Sequence, residues 1–152
     1  MRIRTKLLGE IEVEEDKKIT FANGIVGFPE LKYFLLIHDS ETNGGIRWLQ
    51  SVQEPAFAMP VIDPLSIMPD YNPGIEEELL LPLNIADERD MLVLVTITVP
   101  KELEKMSVNL RAPFVINGET RRASQVIVDE ESYEVKYPIY ELLKAAKEKV
   151  GE

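Results

Sequence analysis

His38 is the one histidine of the chain, and acid–base or nucleophilic chemistry would have to run through it. A serine hydrolase would set it beside Ser40 or Ser51, with Asp39 orienting the ring. His38 and Asp39 are neighbours in what reads as a strand, so their side chains leave opposite faces and are badly placed to pair. The chain has no cysteine, hence no thiolate nucleophile, no thiolate zinc site and no disulfide frame. Metal would have to be held by carboxylates. Asp87, Glu88 and Asp90 lack the spacing and the glycine of a calcium loop. Glu10, Glu12, Glu14, Glu15 and Asp16 read as a solvated acidic strand that resists edge-to-edge pairing. Gly24 and Gly27 fit neither phosphate-cradling pattern, and no helix clearly follows them. A glycosidase would want an aromatic cleft around its carboxylates, and Trp48 is the single tryptophan. No catalytic residue, metal site or cofactor is expected.

What remains are polar groups suited to support or to binding. Asn109, Arg111, Arg121, Arg122 and Gln125 project from Ser107 to Asp129. Val108 to Asn117 reads as a strand, and Asn117-Gly118 as a primed two-residue turn, since both residues tolerate positive φ. Thr120 to Val128 returns with Ala123, Gln125 and Ile127 on one face and Arg122, Ser124, Val126 and Val128 on the other. Arg111, beside Pro113 and near Asn109, could hydrogen-bond loop carbonyls or anchor a partner. Trp48 and Gln50 share one strand face, and Leu49 and Ser51 the other.

The totals narrow the class. A chain of 152 residues with 45% apolar content makes one domain (residues 1–152) with a sizeable core. With 17 basic and 27 acidic residues the formal charge is 17 − 27 = −10. That disfavours direct nucleic-acid binding, which needs cations to neutralise phosphates, and suits solubility or a basic protein partner. The first residues alternate instead of forming a signal-peptide core, and no apolar run could span a bilayer. A cytoplasmic protein is expected.

The elements that position these groups read mostly as strands. Arg2 to Leu8 and Ile11 to Glu14 form a hairpin, followed by Ile19 to Phe21. A tight loop pinned by Phe21 and Phe28 leads past one possible helical turn, Pro29 to Lys32, to a two-sided strand, Tyr33 to His38. Asp39 to Gly45 is a hairpin loop, Ile46 to Val52 its return strand, and Phe57 to Val61 another, with Pro60 hinting at an edge or bulge. Asp63 to Gly74 is loop. Glu76 to Leu81 is a short helix or a strand, with Glu76, Glu77 and Glu78 suited to a first helical turn. Met91 to Val99 sets Val93, Val95, Ile97 and Val99 against Leu92, Leu94, Thr96 and Thr98. Tyr133 to Tyr137 could add a last strand. Pro138 suits a helix start, and Ile139, Leu142, Leu143, Ala146 and Val150 share a helical face over about residues 138–150. The pattern is mainly all-β: a single-domain antiparallel β pseudo-barrel with short helices and a C-terminal α-helix.

An ordered set of motifs then carries a resemblance. Phe21-x-x-Gly24-x-x-Gly27-Phe28-Pro29, Trp48-Leu49-Gln50-Ser51, Pro55-Ala56-Phe57, Asn109-Leu110-Arg111-Ala112-Pro113 with Asn117, and Ala123-x-Gln125 together resemble the flagellar assembly factor FliW family, over about residues 2 to 140. The resemblance implies a non-enzymatic β pseudo-barrel that works by partner switching. Proteins of this family bind the RNA-binding regulator CsrA, relieve its repression of flagellin mRNA translation, and also bind flagellin. The resemblance leaves open which residues meet a partner. Candidate contacts are Asn109, Arg111 and Gln125, with Glu76, Glu77, Glu78, Asp87 and Glu88 as an acidic patch. The alternative is a barrel that binds a small molecule in a pocket under the Trp48 strand.

Overall fold

A computed structural model describes residues 1–5, 8–38, 45–75, 77–85 and 88–150. The N-terminal hairpin forms from β1 (Arg2–Thr5) and β2 (Gly9–Glu12), in register Ile3↔Ile11, and stands as its own two-stranded sheet. Ile3 and Thr5 are buried while Arg2 and Arg4 are exposed, as the alternation requires.

The other strands form one sheet. They are β3 (Ile19–Phe21), β4 (Tyr33–His38), β5 (Arg47–Ser51), β6 (Ala58–Ile62), β7 (Met91–Thr98), β8 (Ser107–Val108), β9 (Phe114–Asn117), β10 (Arg122–Gln125) and β11 (Tyr137–Pro138). Pairing runs β7-β6-β5-β4-β3-β10-β9, and β9 pairs back onto β7, so seven strands close into a barrel. β8 and β11 extend from β7 as a flap. Every pairing is antiparallel except β3 with β10, at Thr20↔Arg122 and Phe21↔Ala123. An odd ring cannot alternate direction all the way round. One parallel seam is therefore geometrically forced in an otherwise antiparallel barrel.

The barrel is filled. Phe21, Phe34, Phe114, Leu49, Val61 and Leu94 lie in its interior at 1% exposure or less. All five phenylalanines of the chain join in one series of edge contacts: Phe114–Phe21 and Phe21–Phe34 at 5.5 Å, Phe34–Phe57 at 6.2 Å and Phe57–Phe28 at 4.8 Å. The two faces of β7 separate as its alternation foretells. Leu92 and Leu94 join the barrel interior, while Val93, Val95 and Ile97 meet a second cluster outside it with Tyr71, Val108, Leu110 and Ile139. A third cluster sets Val115 and Val126 under Leu83.

Several boundaries differ from the sequence reading. Glu77–Leu80 is helical (α1) and runs into a 3-10 turn, Leu81–Leu83, which resolves the helix-or-strand alternative. The C-terminal helix α2 spans Tyr140–Val150, and Pro138 sits in β11 instead of opening it. Ile139 is fully buried, whereas Leu142 is exposed. Pro29 and Glu30 form a turn and no helix. Pro60 lies in β6 where that strand pairs with β5 alone, since contact with β7 begins at Val61. The expected loop at residues 39–44 lies outside the described residues.

Candidate partner-binding face

The long strand expected from Val108 to Asn117 is interrupted. β8 and β9 both pair with β7, but Ile97↔Val108 and Leu94↔Phe114 leave Asn109 to Pro113 opposite only Val95 and Thr96. The surplus chain bulges outward and is tied down from several sides. The Asn109 carboxamide oxygen accepts from the Arg111 N–H at 3.0 Å. The Tyr71 hydroxyl donates to the Leu110 carbonyl at 2.7 Å, and the Leu110 N–H donates to Glu134. Val126 and Val128 donate their N–H groups to the carbonyls of Pro113 and Arg111. Leu110 is fully buried as the anchor of the bulge. Asn-Leu-Arg-Ala-Pro is thus a folded bulge held against the barrel.

Gln125 clamps the bulge to the glycine loop. Its side-chain oxygen accepts from the Val26 N–H at 2.7 Å, and its nitrogen donates to the Ala112 carbonyl at 3.1 Å. In that loop Gly24 has φ +70°, and a Cβ there would collide with the Pro29 backbone. Gly27 has φ +88° in open space. Ile25 and Phe28 exchange backbone hydrogen bonds across the loop tip. Phe28 stays half-exposed, its ring resting on Phe57.

The hairpin turn is not the primed pair expected. Arg121 N–H donates to the Asn117 carbonyl at 2.8 Å, closing a longer turn, and the positive φ falls on Arg121, at 66°. Asn117 is 2% exposed and caps this turn. Its side-chain oxygen accepts from the N–H groups of Glu119 and Thr120, and its nitrogen donates to Leu83 O at 2.8 Å. After Ser124 the alternation slips: Val126 and Val128 are buried and Ile127 is 61% exposed. Gln50 is likewise internal, donating to the carbonyls of Ser51, Pro55 and Phe57. Among the described residues the Trp48 Nε1 and Arg111 Nε atoms are buried without a hydrogen-bond partner.

Among the described residues, Ser51 is not brought to His38. His38 pairs with Arg47 at one end of the β4–β5 ladder, and Ser51 pairs with Phe34 at the other. Four residue steps separate them, about 13 Å along a strand. Ser51 Oγ accepts from the N–H groups of Gln53 and Glu54, which fixes the next turn. Asp39 and Ser40 lie outside the described residues. Among the described residues no three His, Asp or Glu side chains gather as a metal site, and no helix is long and apolar enough to cross a membrane.

Glu77 and Glu78 are exposed on α1. Glu76 and Asp87 lie outside the described residues, and Glu88 opens a 3-10 turn. A groove of about 340 Å³ runs nearby between residues 63–75 and the start of β7, and a hollow of about 490 Å³ sits between Thr20, Asn23, Pro82 and Arg122. Neither is lined by β5, whose inward Leu49 is fully buried among the aromatic rings. Sequence reasoning passed over Tyr71, which pins the bulge from a proline-rich stretch with no periodicity. It also passed over the groove, whose one signal is Pro64 cutting β6 short.

The family model described as FliW protein matches residues 2–139. A flagellar assembly factor FliW of Lachnoclostridium phytofermentans is 44% identical over 155 residues, covering 100% of this chain and 99% of that protein. One from Lachnospira eligens is 43% identical, covering 95% and 97%. The fold is similar to a crystal structure of the flagellar assembly factor FliW, with a TM-score of 0.84 and 36% identity, covering 91% of this chain and 96% of that one.

Proposed function

The chain belongs to the FliW family of flagellar assembly factors, and from that premise we propose that it is a non-enzymatic, cytoplasmic partner-switching regulator. It binds CsrA and relieves that protein's repression of flagellin mRNA translation, and it binds flagellin as a chaperone-like partner. Flagellin that accumulates occupies the factor and frees CsrA. Full-length family membership carries this reading.

Two physical features support it. The barrel interior is occupied by side chains, so surfaces are left to do the work. The formal charge of −10 favours docking to a basic partner and opposes phosphate binding by the factor itself. The proposed contacts are the exposed acids Glu77 and Glu78, with Arg111 on the bulge.

Titration with purified CsrA and flagellin, singly and together, tests the proposal. Each should bind alone, and flagellin should lower CsrA occupancy. Binding of neither protein would overturn it. Simultaneous binding with unchanged affinities would remove the switching step.

A further inference from the structure

β6 leaves β7 early. It pairs only through Val61↔Thr96 and Ile62↔Val95. In that register the position opposite Val93 falls on Pro64, which has no N–H to offer. The chain turns away there as a 3-10 turn, Pro64–Ser66, capped by the Asp63 carboxylate on the Leu65 N–H. β7 meanwhile runs back to Met91, held by β9 on its other side.

The direction of its backbone groups follows from two bonds. Gly118 N–H donates to the Asp90 carbonyl at 2.7 Å, and Asn109 N–H donates to the Thr96 carbonyl at 3.1 Å. Even-numbered residues of this stretch thus point at β9 and β8. Alternate residues of an antiparallel strand point the other way. Val93 therefore turns its N–H and C=O, and Met91 its C=O, towards the side β6 has vacated, while the Met91 N–H closes the 3-10 turn Glu88–Asp90. The 340 Å³ groove lies along that side, walled by Pro64, Leu65, Tyr71 and Ile75.

We propose that this open edge of β7 is a docking site for an extended segment of a protein partner, which adds as a strand beside Met91–Val93. Strand addition satisfies edge N–H and C=O groups, while alternate side chains of the incoming segment fill apolar pockets. A groove of this volume takes the side chains of a few residues. Charge sets the partner's chemistry. Residues 63–75 carry Asp63 and Asp70 and no Lys or Arg, and Ile75 leads into α1 with its exposed Glu77 and Glu78. The occupant is a short stretch with apolar residues at alternate positions, flanked by Lys or Arg.

This inference rests on the reading of the chain as a partner-binding protein, and one experiment separates the two. Amide hydrogen exchange is measured on the free chain and after saturation with CsrA or with flagellin. At least tenfold slowing at Val93 with one partner is expected. Leu65→Arg should weaken that partner at least tenfold without moving the melting temperature, because Leu65 is 52% exposed, and Leu65→Met should not. Binding that leaves the Val93 amide exchanging as in the free chain overturns the groove and keeps the partner reading. Failure of both proteins to bind overturns both. Slowing that grows with concentration of the chain alone assigns the edge to a second copy and overturns the proposal.

Discussion

Gln125 accepts a hydrogen bond from the N–H of Val26, 99 positions earlier, at 2.7 Å. The same carboxamide donates to the Ala112 carbonyl, so one side chain fastens the glycine loop to the Asn109–Pro113 bulge. An amide suits this place because it offers an acceptor and a donor on one rigid plane.

Replacing Gln125 with Ala leaves both backbone groups without their partner and should lower stability by about 1–3 kcal/mol. Gln125→Glu keeps the acceptor for Val26 but sets a carboxylate against the Ala112 carbonyl, so it should also destabilise. Urea unfolding reads both. Unchanged midpoints would mean that Gln125 serves a partner and not the fold.

Gly24 and Gly27 both have positive φ, yet only Gly24 lacks room for a side chain. Gly27→Ala should cost about 1 kcal/mol from backbone conformation alone. Gly24→Ala should cost clearly more, because the Pro29 backbone must shift as well. Thermal unfolding of the pair would show it, and equal losses would contradict the close approach.

Burial, with Tyr133 and Glu130 beside it, pushes the Tyr71 hydroxyl well above its ordinary value. The folded state therefore favours the neutral form more than the unfolded chain does. This contribution is intact below about pH 10, the value in an unfolded chain, and is lost as pH rises from there towards the folded value. Tyr71→Phe removes the bond to Leu110 and should cost about 1 kcal/mol at neutral pH. It should also flatten the alkaline fall in stability. A variant with the same alkaline slope as the parent would refute the assignment.

Charge reversal at Glu77 and Glu78 should weaken CsrA binding several-fold at low salt, with the difference shrinking as salt rises. Both residues are exposed on α1, so the fold should tolerate the change. Calorimetric titration at two ionic strengths is the check. Equal affinities for parent and variant would remove these acids from the interface.

Much of the architecture was legible locally. β4 and β7 were legible because each is a run of six or more mostly apolar residues, the mark of a buried strand. The ordered motifs marked the family. The stretch from Ser107 to Asp129 misled for a physical reason. Most of its apolar residues are buried whether the chain is strand, bulge or return segment, so hydrophobicity alone cannot locate the break at Asn109 or the slip after Ser124.

By itself the sequence determined the chemistry: an acidic chain of β-strands without a cysteine, with one histidine. Only the tertiary structure decided where the polar motif residues point. Asn109, Gln125, Gln50 and Asn117 all meet backbone groups, and the distant pairings of Gln125 with Val26 and of Asn117 with Leu83 exist only once the barrel has closed. The open edge at Val93 has the same origin, for it depends on where β6 stops relative to β7, and strand register is a property of the pair and not of either strand.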